Sequence, residues 1–113
     1  MANEIEAMNE VSLEALTLER LAELVGTGFR VAVPGAEPVG LELATVTPPQ
    51  SSGAHYESFS LYFDGPAGRP LTQRTYPFEH ERIGRFDLFI VPVGNERGRL
   101  QYQAVFNRLR RDG

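Results

Sequence analysis

Between Tyr56 and Asn107 the chain alternates apolar and polar positions with a period of two residues. The alternation is broken at short intervals by Gly, Pro or Asn, leaving the phrases FSLYFDG, TYPFEHERIG, RFDLFIVPVG and LQYQAVFN. Apolar alternation closed by turn residues predicts consecutive antiparallel strands joined by short links. Tyr56 to Asp64 sets Phe59, Leu61 and Phe63 on one face and Ser58, Ser60 and Tyr62 on the other. Arg74 to His80 turns Tyr76 and Phe78 inward. Pro77 has no N–H for a ladder, so this strand is expected at an edge or with a bulge. Ile83-Gly84 turns the chain into Phe86 to Val93. Phe86, Leu88 and Ile90 share one face of that strand, and Phe89, Val91 and Val93 the other. A strand apolar on both faces needs cover on both. Gly94 to Gly98 reads as a hairpin loop, and Leu100 to Phe106 then places Leu100, Tyr102, Ala104 and Phe106 inward.

Upstream, Phe29 to Val33 and Val39 to Thr47 alternate in the same way, ended by Pro34-Gly35 and Pro48-Pro49. QSSGAH, residues 50–55, reads as an exposed loop. One segment has helical spacing. In Thr17 to Val25, residues Leu18, Leu21, Ala22 and Val25 form one stripe, with Thr17 as N-cap, Leu16 and Leu21 as a staple and Gly26 as the stop. Residues 1–10, MANEIEAMNE, are acidic and weakly patterned and read as a mobile tail. Residues 11–113 then form a single β-rich domain.

About six short strands must curl or close to bury this many aromatic side chains. The expected fold is all-β and mainly antiparallel, a small, partly open β-barrel with one short N-terminal helix. A two-sheet β-sandwich is the alternative. At 113 residues such a domain buries roughly two-thirds of its unfolded surface and needs no staples.

Composition narrows the function classes. There is no cysteine, which excludes disulfides, thiolate metal sites and thiol nucleophiles. The formal net charge is -4, which argues against nucleic acid as partner. All 11 basic residues are arginine, the mark of coding bias in a GC-rich genome. Arg108, Arg110 and Arg111 form the one basic cluster and read as a solvated tail. No apolar run approaches the ~20 residues of a membrane span, and no signal-peptide pattern opens the chain. A cytoplasmic location is expected.

Candidate chemistry is sparse. Glu79-His80-Glu81 is the nearest approach to an acid/base or metal cluster. On a strand, Glu79 and Glu81 point away from His80, so the three do not converge. His55 lies on the expected loop and would have to fold back to join a metal site. His80 therefore reads as a structural residue that bonds backbone near the Ile83-Gly84 turn and holds Gly84 in place. The serines lack an adjacent His-Asp pattern. Gly26-Thr27-Gly28 follows a helix where a phosphate loop would open one. Catalytic, cofactor and metal residues are expected to be none.

The phrases GTGFRV, FSLYFDGP, PLTQRTYPFEHERIGRFDLFIVPVG and YQAVFN resemble a family of small bacterial domains of unknown function. The resemblance rests on Gly26 to Phe29, Phe59 to Phe63, Thr75 to Gly84, Phe86 to Gly94 and Tyr102 to Asn107. It carries no assigned active site. Members of the family are frequent genomic neighbours of phage tail-collar-type fibre proteins, which implies a fibre protein as partner. The function expected is a non-enzymatic protein-interaction or assembly module, with self-association. The surface expected to carry it is Phe89, Val91 and Val93, together with an open edge at Pro77. A small-ligand-binding β-barrel is the alternative.

Overall fold

The computed structural model describes residues 11, 16–47, 50–52 and 56–109. The expected tail at residues 1–10, the expected loop position of His55, and Arg110 and Arg111 lie outside the described residues. The elements are α1 (Leu18–Ala22), β1 (Gly28–Val31), β2 (Val39–Val46), β3 (Gln50–Ser52), β4 (Tyr56–Pro66), β5 (Arg74–His80), β6 (Gly84–Glu96) and β7 (Arg99–Leu109). The strands run in the order β2-β1-β5-β6-β7-β4, and β4 pairs back onto β2. Every strand pairing among the described residues is antiparallel, and the six strands form a closed, small β-barrel. No helix among the described residues is long and apolar enough to cross a membrane.

The inward set follows the period-2 reading. Phe59, Leu61, Phe63, Tyr76, Phe78, Phe86, Leu88, Ile90, Tyr102, Ala104 and Phe106 are all buried, as are Phe29, Val31, Val39, Leu41 and Leu43. Leu100 is partly buried against them. Aromatic rings fill the interior. Phe29 stands edge-on to Phe63 at 5.4 Å, and Phe78 lies 5.7 Å from Phe86 in a stacked pair. Nearer the other end, Phe59 stacks on Phe106 at 4.9 Å. A barrel of this strand number is closed around side chains, and these are the ones that fit.

Several local features differ from the sequence reading, each for a physical reason. Gln50–Ser52 is a strand, β3, paired with Tyr56–Ser58 of β4. Thr47 carries the chain toward it: its N–H donates to Ser60 O at 2.9 Å, and its Oγ1 accepts from Ser60 N–H at 2.8 Å. Thus β2 and β3 lie along one edge of β4. The helix is shorter than the nine-residue stripe suggested. Leu24 N–H donates to Leu21 O and Val25 N–H to Ala22 O, so the last turn tightens to i−3 bonding. That tightening puts Leu21 and Leu24 on the buried side and turns Val25 out, 44% exposed. The N-cap is Thr17, whose Oγ1 accepts from Arg20 N–H at 3.1 Å. Gly26 takes a φ of +90° at the stop.

Pro77 sits neither at an edge nor in a bulge. β5 lies between β1 and β6, and Pro77 is in register with Asp87 inside an unbroken ladder. Its carbonyl faces β1 and accepts from Ala32 N–H at 3.0 Å. The proline has no N–H to return, so the β1 ladder ends at Val31 and does not reach Val33. The hairpin from β6 to β7 is also tighter than expected. Glu96 pairs with Arg99, leaving Arg97 and Gly98 at φ +55° and +77° as a two-residue type I′ turn. The slack is taken up at Val93, the extra residue of a bulge between Pro92 and Gly94.

Candidate functional site

Two places in this fold concentrate features that packing alone does not require. The first is the outer face of β6, β7 and β4. Parity sends Phe89 and Val91 of β6 outward, opposite the buried Phe86, Leu88 and Ile90. Phe89 is 49% exposed and Val93 43%, while Val91 is half-buried. The helix does not cover them: Leu21 is buried in the core and Val25 is exposed to solvent. β7 adds Val105, 62% exposed, the most open large apolar side chain described. Val91 lies opposite Gln103, Gln103 opposite Tyr62, and Val105 opposite Ser60. Gln103 Nε2 donates to Ser60 Oγ at 3.0 Å and to Tyr62 OH at 3.1 Å, which fixes the middle of the face. Thr75 sits beside Phe89. The face therefore combines exposed apolar groups with neutral polar ones and carries no charge over these positions.

Val105 was not singled out by sequence reasoning, although its signal was present. Once Tyr102, Ala104 and Phe106 are assigned inward, parity puts Val105 outward. Pro77 is exposed, but it lies inside the sheet and offers no strand edge.

The second place is the His80 turn. His80 ends β5 with its ring on the inward face, only 3% exposed, the sole buried polar or charged residue among those described. Its ring centroid lies 4.5 Å from that of Phe29. Nδ1 accepts from Arg82 N–H at 3.1 Å inside the turn. Thr27 Oγ1 donates to Leu24 O at 2.6 Å, so it accepts the Nε2–H of His80 at 2.8 Å. This network assigns a neutral ring with its proton on Nε2. Burial, first, and the nearby Arg82 guanidinium, second, lower the pKa of His80 below its ordinary value, and Glu81 opposes them. Gly84, also buried, follows with a φ of +101° that a residue with a side chain rarely adopts.

Glu79 and Glu81 do not join this ring. Glu79 lies on the outer surface between Arg30 at 3.6 Å and Arg85 at 3.8 Å. Glu81 is exposed in the turn. Among the described residues no group of three His, Cys, Asp or Glu side chains is placed to hold a metal ion. Both ring nitrogens of His80 are occupied by structural hydrogen bonds, an arrangement that stabilises a turn and leaves no lone pair for general-base chemistry. Thr27 was missed as a partner because 53 residues separate it from His80.

Neither a curated protein nor a solved structure matches this chain. Residues 16–106, which span α1 and nearly the whole barrel, match the family model described as a domain of unknown function, DUF6916, and the chain belongs to that family.

Proposed function

We propose that this domain is a non-enzymatic protein-interaction or assembly module that works through the outer face of β6, β7 and β4. The observation that carries the reading is the cluster of outward apolar residues Phe89, Val91, Val93 and Val105, set among the neutral Ser60, Tyr62, Thr75 and Gln103, in a chain with a formal net charge of -4. An apolar face of this kind on a small domain is a place where another protein gains by covering it. The absence of charge over these positions suits a second copy of the same chain, since two like faces meet without repulsion. The family resemblance adds a tail-collar-type fibre protein as heterologous partner, and with it an accessory role in a phage-tail-derived structure. A cytoplasmic site of action accompanies this reading.

The ligand-binding barrel has less support. The ring interior is occupied by Phe29, Phe63, Phe78 and Phe86, at centroid separations of 5.4 to 6.3 Å where they meet. The depression beside Gly28 is lined by Arg30, Glu79 and Glu81 and is a surface feature.

Light scattering over a concentration series and co-expression with the fibre protein test the proposal. Val105→Arg and Phe89→Glu should each abolish self-association or co-purification and leave the circular dichroism spectrum unchanged. A protein that is monomeric throughout and co-purifies with no fibre protein would remove the proposal's support.

A further inference from the structure

His80 joins two parts of the fold that share no strand pairing. Through Thr27 Oγ1 it reaches Leu24 O, the carbonyl at the C-terminal end of the α1 turn. Through Nδ1 it reaches Arg82 N–H, in the turn between β5 and β6. Ile83 N–H donates to His80 O at 3.3 Å in the same turn. Among the described residues the α1 segment is tied to the barrel at few other points: Gly26 N–H donates to Leu43 O at 2.8 Å, Leu43 N–H donates to Thr27 O at 3.1 Å, Leu16, Leu21 and Leu24 bury their side chains, and Leu18 packs partly buried against the core. A helix of five residues has no stability of its own, so its position depends on these contacts.

We propose that His80 is an acid-sensitive clip: the neutral ring fastens the end of α1 to the β5–β6 turn, and protonation of Nδ1 releases α1 from the barrel while the β4–β7 wall stays formed. The geometry makes the two states incompatible. A proton on Nδ1 turns an acceptor into a donor that faces the Arg82 N–H, so one hydrogen bond is lost and two donors are left opposed. The charged ring would be buried against Phe29. The groups around it give little relief. The turn presents Arg82, which repels the imidazolium, and Glu81, exposed, which attracts it. Glu79 on β5 is turned to the outer face and engaged by Arg30 of β1 and Arg85 of β6. The α1–β1 link presents the Thr27 hydroxyl, which carries no charge, and α1 itself holds Glu19, Arg20 and Glu23 on its exposed side.

The sign follows from linkage. The clipped state holds the pKa of His80 below its ordinary value of 6.5, and the released state restores it. Above that value neither state binds the proton and the clip is at full strength. As pH falls through about 6.5 toward the lowered value, the released state binds the proton first, and release becomes up to tenfold more favourable per pH unit. Below the lowered value the effect is complete and flat. The neighbouring wall has no such group: Phe59 to Phe63 and Tyr102 to Phe106 pair without a histidine.

Amide hydrogen exchange on the whole chain, corrected for the intrinsic effect of pH, tests the clip. Between pH 7.5 and pH 5.5 the amides of Leu24, Thr27 and Arg82 should lose up to about tenfold in protection, while those of Leu61, Phe63 and Ala104 keep theirs. His80→Gln should abolish the pH response at the first set. Nitrogen NMR of the His80 ring gives a second readout that needs no variant: the Nε2–H tautomer at pH 7.5 and a midpoint below that of a free histidine. A ring protonated on Nδ1 at pH 7.5, a midpoint at or above the free value, or equal loss of protection in both sets of amides would each overturn the proposal.

Discussion

Phe86 and Phe89 lie three residues apart on β6 and face opposite ways, which makes them an internal test of the barrel's inner and outer surfaces. Phe86 is 6% exposed and meets Phe78 at 5.7 Å and Phe29 at 6.2 Å. Phe86→Ala removes a ring from a packed interior, and about 3–5 kcal/mol should be lost through transfer and the residual cavity. Phe89 is half exposed, so truncation there forfeits roughly half of the ~1.5–3 kcal/mol that full burial of a side chain supplies. The loss at Phe89→Ala should be about 1 kcal/mol. Urea denaturation followed by tryptophan-free probes, tyrosine fluorescence and far-ultraviolet circular dichroism, gives both values, with the slope m as control. A domain of this size has about 5–15 kcal/mol in total, so Phe86→Ala removes a large share of it. Phe86→Leu keeps most of the apolar volume and provides a measurable intermediate. Equal losses at the two positions, or a larger one at Phe89, would refute the assignment of faces and with it the interaction surface.

Three further outcomes follow from single contacts. A Cβ at Gly65 would meet Leu41 Cδ2 at 2.5 Å and Tyr102 Cε2 at 3.3 Å; Gly65→Ala should therefore cost about 1–3 kcal/mol by overpacking, read as a lower urea midpoint. Tyr102 OH accepts Leu71 N–H at 2.9 Å in a buried position; Tyr102→Phe leaves that donor unpaired and should cost about 1–3 kcal/mol, with faster exchange of the Leu71 amide as its signature. Arg97 holds a φ of +55° in the type I′ turn; Arg97→Asn, which tolerates that conformation, should raise stability by up to about 1 kcal/mol, and a fall in thermal midpoint would contradict the turn assignment.

What could be read in the chain, and what could not, divides along physical lines. The inner face was legible at Phe59, Leu61, Phe63, Phe86, Leu88 and Ile90 because a strand has one simple period and burial demands apolar groups on alternate positions. Strand β3 was not, since Gln50, Ser51 and Ser52 are polar and pair only because β4 runs on past the end of β2. The place of Pro77 was misjudged for a related reason. A missing N–H marks a place where one ladder must stop, and sequence alone does not show which of two neighbouring ladders that is. The Thr27–His80 bond joins residues that meet only when β1 lies beside β5, so neither residue carries a local sign of the other.

The helix could have covered the outer face of β6, and local geometry keeps it from doing so. At 3.6 residues per turn, Leu18, Leu21, Ala22 and Val25 make a stripe broad enough to lie on a sheet. The chain instead tightens after Ala22, because Gly26 and Thr27 must reach Leu43 and His80. That choice buries Leu21 and Leu24 and exposes Val25, and the helix lends no cover to Phe89, Val93 and Val105. The same few hydrogen bonds fix α1 and take no part in the outer face of β6 and β7. A substitution that loosens them, such as Thr27→Val, is expected to disturb α1 and leave the β6–β7 outer face in place. Association measured with Thr27→Val should thus match that of the natural chain, whereas Val105→Arg should abolish it. Loss of association in Thr27→Val with the β4–β7 amides still protected would move the binding surface from the sheet to the helix end of the barrel.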